Sequence, residues 1–126
     1  MIVAIGTDIV EIGRIKGVLD RHGRSFAQRI LCPRELIRFD QASNPVAYLA
    51  KRFAAKEALA KALGTGIGRV SWQDIETSNN TAGAPQFILG DSVRSVMTEL
   101  GADEALLSLS DEQDYALAFV VLSKRL

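Results

Sequence analysis

The sequence has one cysteine, Cys32, and one histidine, His22, among its 126 residues. A single thiol excludes an internal disulfide and suits a reducing compartment. No histidine-bearing partner motif accompanies Cys32, so it reads as a structural residue and not as a nucleophile. Aromatic residues make up only 6%, and few of them interleave with the arginines, which argues against nucleic acid as a partner. No apolar run approaches the roughly 20 residues that cross a bilayer as a helix. The opening stretch, Met1-Ile2-Val3-Ala4-Ile5-Gly6-Thr7-Asp8, has no basic lead-in and soon meets an acid, unlike a secretory signal. A cytoplasmic location with no membrane contact is therefore expected. Internal repeats, linkers and low-complexity segments are also missing, so one domain over residues 1–126 is expected.

Net charge is likewise absent, at +0, but the charges are unevenly placed. Between Arg14 and Arg38 stand seven basic residues against the acids Asp20 and Glu35. Between Asp74 and Asp114 stand nine acids against Arg94. A basic N-terminal third suits an anionic partner, either a phosphate-bearing ligand or an acidic protein surface.

The hydrophobic pattern orders the elements. Residues 2–10 read as a buried strand, from Ile2, Val3, Ala4, Ile5, Ile9 and Val10. A helix from about Glu11 puts Ile12, Ile15, Val18 and Leu19 on one face, with Gly23 past its end. Ser25 is placed to cap a short helix holding Phe26, Ile30 and Leu31. Pro33 starts another, with Leu36, Ile37 and Phe39 as apolar positions. Asn44 and Pro45 open a long helix, Val46 to Leu63, closed by Gly64. Strands are expected at 70–77 and through Gln86–Leu89, joined by the turn formers Asn79–Gly83. Asp91 is placed to cap a helix to Leu100, and strands at 105–110 and 115–122 follow. The expected fold class is α+β, with a small antiparallel sheet packed on the long central helix.

Two carboxylates stand out. At 100° per residue, Val46, Leu49, Phe53 and Ala60 form a stripe that includes Glu57, flanked by Lys61, while Lys51, Arg52 and Lys56 point elsewhere. A charged glutamate on a core-facing stripe is costly unless paired or metal-bound. One account is a simple Glu57–Lys61 pair at helical spacing. Asp8 raises the same question inside the first strand, unless the strand ends at Gly6 and Asp8 caps the next helix. Convergence of both acids on a hard divalent cation would resolve the two anomalies together. Few protein oxygens plus water and substrate phosphates suit Mg²⁺. Lys61 and the Gly64-Thr65-Gly66 turn could serve a phosphate, although the glycines follow the helix, unlike a P-loop.

Gly6-Thr7-Asp8-Ile9-Val10 and Arg52-Phe53-Ala54-Ala55-Lys56-Glu57-Ala58-Leu59-Ala60-Lys61 resemble the two signature motifs of the phosphopantetheinyl transferases. Their spacing and the continuation Ala62-Leu63-Gly64-Thr65-Gly66-Ile67-Gly68 resemble the short bacterial class, the holo-acyl-carrier-protein synthases. The likeness continues through Ser108-Leu109-Ser110 and Tyr115-Ala116. It implies transfer of the 4′-phosphopantetheine arm of coenzyme A to a serine of apo-acyl carrier protein, in support of fatty acid biosynthesis. It further implies Mg²⁺ on Asp8 and Glu57, and phosphate contact by Lys61, which could also help deprotonate the serine. Coenzyme A contacts would come from Arg52, Lys61, Gly64, Thr65 and Gly66, and carrier docking from Arg14, Arg21 and Arg24. A homotrimer with active sites between subunits is implied as well.

The sequence departs from the pattern at two points. Asp111 stands where many members carry a histidine after Ser-x-Ser, so that residue's role does not transfer. Gly83-Ala84-Pro85 replaces the usual Gly-Lys-Pro turn. His22, in the basic stretch, reads as surface or docking. The competing readings are a catalytically silent carrier-binding module and a coenzyme A-binding regulatory domain.

Overall fold

In the computed structural model, which describes residues 1–126, the first strand passes directly across the long helix. β1 runs Ile2–Glu11 and is followed by three short helices, α1 Ile12–His22, α2 Arg24–Ile30 and α3 Pro33–Gln41. The long helix α4 spans Pro45–Leu63. Asn44 Oδ1 accepts from the Ala47 amide at 3.1 Å, which satisfies one free amide of the first turn. Gly64, at φ 76°, ends the helix in the left-handed region open to glycine. After it come β2 Ile75–Asn79, β3 Pro85–Leu89, α5 Asp91–Leu100, β4 Glu104–Asp111 and β5 Tyr115–Ser123.

The strands form two antiparallel sheets where one was expected: a three-stranded sheet in the order β1-β5-β4, and a separate pair β2-β3. α4 covers one face of the larger sheet. Its alanines (Ala54, Ala55, Ala58 and Ala62) pack with Ala118, Val120 and Leu122 of β5 in the main core. The approach is closest at Gly6, where an added Cβ would lie 2.1 Å from the Ala58 carbonyl oxygen. Only glycine fits there. A second core joins α1, α2 and the N-terminal half of α4 through Ile15, Ala27, Ile30, Leu31, Leu49 and Ala50.

Several expectations are corrected. β1 is not buried on both sides: Ile5 and Ile9 are 59% and 62% exposed, because α4 covers only one face of this edge strand. The single apolar stripe expected on α4 is too narrow, since small residues let neighbours close in on most of the helix. Lys56 and Arg52, expected off the apolar stripe, are buried, whereas Val46, Phe53 and Glu57 on it are half-buried. The expected strand at 70–77 begins only at Ile75. Trp72–Asp74 form a 3₁₀ turn, held by Ser71 Oγ accepting from Gln73 and Asp74 accepting from the Ser71 amide. Ser25 does not cap α2; Gly23 holds that position, and Ser25 Oγ donates to the His22 carbonyl at 2.7 Å. Gly90, and not Asp91, is the N-cap of α5. On α3, Ile37 is exposed and Glu35 is the buried residue.

Candidate active site

Asp8 lies inside β1, opposite Ala118 of β5, so the strand does not stop at Gly6. The N-cap of α1 is Glu11, which excludes Asp8 as that helix's cap. Alternation along the strand turns Asp8 toward the α4 side, where Gly6 has let the helix come close. Lys61 Nζ meets Asp8 Oδ1 at 2.8 Å and also donates to the Thr7 carbonyl at 3.1 Å. The intrahelical Glu57–Lys61 pair is therefore not what forms. Lys61 reaches across to β1.

Glu57 borders the same cavity as Asp8. This cleft of ≈ 360 Å³ is lined by both acids and Arg14, with Val18, Phe26 and Phe53 among its apolar walls. Burial raises the Glu57 pKa above its ordinary 4.5, the Asp8 charge raises it further, and Lys61 partly offsets both. Glu57, whose charge the Asp8 carboxylate disfavours, and Asp8, fixed on a helix and a strand, form a site short of positive charge. No cluster of three or more His, Cys, Asp or Glu side chains surrounds them. A protein cage for Zn²⁺ or Ca²⁺ is thus absent, while a two-carboxylate donor set fits Mg²⁺ with water and phosphate ligands.

The other expected site residues are dispersed. Arg14 and Arg21 share one face of α1, seven residues apart. Arg24 faces a different cavity and is held by Asp40, Nε to Oδ1 at 3.2 Å and Nη2 to Oδ2 at 2.5 Å. Arg52 is not in the acidic cleft. It lines a separate cavity of ≈ 220 Å³ with Lys51, Asn79, Gly83, Pro85, Leu109 and Asp111. Its guanidinium is 4.2 Å from the Tyr48 ring centroid, its Nε is buried without a partner, and no carboxylate pairs with it. Asp111 pairs instead with Lys51 at 3.6 Å.

The amides of the Gly64–Gly66 turn are already engaged. Gly64 donates to Lys61, and Thr65 and Gly66 both donate to Ala60. His22 is exposed at the end of α1, away from the acids. Cys32 is buried, and its thiol is pushed up to about 11, chiefly by burial. It stays protonated, as a structural residue would.

The sequence reading missed one polar group altogether. Lys56 and Glu35 pair at 2.7 Å with both side chains fully buried. Lys56 also donates to the carbonyls of Ile30 and Trp72, and Glu35 accepts from Cys32 N, Thr77 N and Thr77 Oγ1. The only available signal was that apolar residues occupy nearly every side of α4, which leaves no exposed face for Lys56.

Residues 4–120 match the family model of the 4′-phosphopantetheinyl transferase superfamily. The chain is 51% identical over 125 residues to the holo-[acyl-carrier-protein] synthase of Neisseria meningitidis, covering 98% of this chain and 100% of that one. The crystal structure of that synthase superposes with a TM-score of 0.92 over the same shares of the two chains. The Bacillus anthracis synthase in complex with CoA (3′,5′-ADP) gives 0.83 at 38% identity, covering 99% of each chain. The Helicobacter pylori synthase in complex with coenzyme A gives 0.82 at 34%, covering 94% of this chain and 99% of that one. No helix of the chain is long and apolar enough to cross a membrane.

Proposed function

Because the chain belongs to the 4′-phosphopantetheinyl transferase superfamily and is an enzyme of its holo-[acyl-carrier-protein] synthase class, we propose that it transfers the 4′-phosphopantetheine arm of coenzyme A to a serine of an apo-acyl carrier protein. The serine oxygen forms a bond to the β-phosphorus and the bond from that phosphorus to the bridging oxygen breaks. 3′,5′-ADP leaves, and the serine proton is lost. The cleft shared by Asp8 and Glu57, with Lys61 bonded to Asp8 beside it, supports the reading.

Asp8 and Glu57 would hold Mg²⁺, which when bound supplies positive charge for the diphosphate and the departing phosphate. Lys61, one turn beyond Glu57 and bonded to Asp8 at 2.8 Å, would contact the phosphate as a cation, and only its neutral form could take the serine proton, a metal-associated water being the other candidate base. The apolar walls, Phe26 and Phe53 among them, border the acidic end of the cleft. Arg14 and Arg21 would present an unpaired cationic face to an acidic carrier, with Arg24 at the start of α2 already paired with Asp40.

Arg52, a buried cation without an anion, lies on a different part of the protomer from the acids. Its side chain, and not the engaged amides of the Gly64–Gly66 turn, suits coenzyme A held between subunits. An uncovered apolar sheet face, with Ile5, Ile9, Leu106, Leu117 and Phe119 all exposed, supports self-association, and the homotrimer is the proposed state. The proposed setting is the cytoplasm and fatty acid biosynthesis. The test is incubation with Mg²⁺, coenzyme A and apo-carrier, followed by mass spectrometry of the carrier. Added phosphopantetheine mass is expected, and its absence across several carriers refutes the transferase. Charge reversal at Arg14 should raise KM for the carrier more than KM for coenzyme A.

A further inference from the structure

Lys61 already occupies a carboxylate oxygen that the proposed function assigns to a metal. Its ammonium is gripped by β1 at two points, Asp8 Oδ1 at 2.8 Å and the Thr7 carbonyl at 3.1 Å. The two partners differ in freedom. Asp8 is 15% exposed and fixed on a strand, whereas Lys61 is 55% exposed on a flexible stem. Glu57, which shares the cleft with Asp8, pairs with no cation, and Arg14 is the positive side chain on the lining.

We propose that Lys61 is a resident counter-ion, holding Asp8 until a divalent cation displaces it, and that this displacement frees its ammonium for a phosphate. The inference rests on Asp8 being a metal ligand, as in the proposed function. A Mg²⁺ ion sits about 2.1 Å from its oxygen ligands. It would therefore crowd and repel an ammonium that shares Asp8. The mobile partner is the one that must leave. Lys61 thereby couples two binding events. The bare cleft holds cations weakly, and Lys61 becomes available to an anion only once a cation is in place. Metal and diphosphate should then bind with positive cooperativity, by reciprocal linkage.

The probe is Mn²⁺ without coenzyme A, with the free ion counted by its EPR spectrum in the presence of the full chain. Lys61→Met keeps the helix propensity and most of the stem. It is expected to bind Mn²⁺ about tenfold more tightly than the parent. Arg14→Gln removes a charge from the same cleft without touching Asp8, and should tighten binding less than threefold. Asp8→Asn should weaken it. The inference is overturned if Lys61→Met binds no more tightly than the parent, or if Arg14→Gln tightens binding equally, because net charge would then suffice. The two readings fail separately. Tight Mn²⁺ binding by Lys61→Met with no carrier modification by the parent would refute the transferase and keep the counter-ion. Normal transfer by the parent, with Mn²⁺ affinity unchanged in Lys61→Met, would do the reverse.

Discussion

Two lysines on the same helix meet carboxylates in opposite ways. Lys56 and Glu35 are fully buried, and six further hydrogen bonds complete their shells. Lys61 and Asp8 are open to solvent, with Glu57 left beside them lacking a cation and with a raised pKa. The closed node is saturated: no lone pair or proton remains for a ligand, and its partners come from α2, α3, α4, the 3₁₀ turn and β2. It is architecture. The open node has a surplus carboxylate, a movable cation and a cavity in front of it, which are the requirements of a binding site. Charge near a core therefore does not by itself identify function, whereas incomplete satisfaction beside a cavity does.

Breaking the closed node should have the largest effect. Lys56→Met leaves the Glu35 charge buried without its cation, and a loss of about 3–5 kcal/mol is expected in urea unfolding. Activity per folded molecule should survive at low denaturant. A variant as stable as the parent would remove the distinction between the two nodes. The open node should respond the other way. Asp8→Asn is expected to lower kcat/KM by about 10³-fold, or ~4 kcal/mol of barrier. Its thermal midpoint should stay within a few degrees of the parent's. Transfer at the parental rate would exclude Asp8 from the metal site.

This contrast also separates what the sequence displays from what it hides. Asp8 and Glu57 were legible because each violates a local pattern, an acid within an apolar strand and an acid on a helix stripe. The ends of α4 were legible because Asn44, Pro45 and Gly64 act through bonds to near neighbours. Glu35 and Lys56 violate nothing locally. A glutamate in a first helical turn and a lysine in an alanine-rich helix are ordinary, and their pairing depends on how α3 docks on α4. The exposed face of β1 was hidden for a related reason. A run such as Ile2-Val3-Ala4-Ile5 reads the same whether a strand is covered by its own chain or left uncovered. Arg52, read from its motif as a coenzyme A contact, lies about 140° around the helix from Glu57, an angle that needs the three-dimensional sites to be interpreted.

A subtler change connects the strand to the open node. Gly6→Ala puts a methyl group into the Ala58 carbonyl, so β1 and α4 must separate. A stability loss of about 1–3 kcal/mol is expected from overpacking. The separation also moves Asp8 away from Lys61. Activity should therefore fall by more than the unfolded fraction accounts for, as measured by kcat/KM on protein shown to be folded by circular dichroism. A loss in step with unfolding alone would mean that Gly6 serves packing and not the cleft.

The smallest expected effect concerns Glu57, and its sign is diagnostic. A carboxyl whose folded pKa lies above its ordinary 4.5 binds its proton more tightly in the folded state than in the unfolded chain. Stability is then lost as pH rises from 4.5 through the folded value, and the ionised group is a cost at neutrality. Glu57→Gln should accordingly melt above the parent at pH 7, with the gap closing as pH falls below 4.5. The gap should be modest, because the group is only part-buried and water screens it. Adding Mg²⁺ should raise the parental midpoint and leave Glu57→Gln nearly unmoved, since a ligand that binds only the folded state stabilises it. If Glu57→Gln melted below the parent at pH 7, the carboxylate would be holding the fold together as Glu35 does. The open node would then be a second structural pair. A gain in stability in Glu57→Gln together with a Mg²⁺-dependent rise in the parent alone would mark Glu57 as a binding carboxylate and not a structural one.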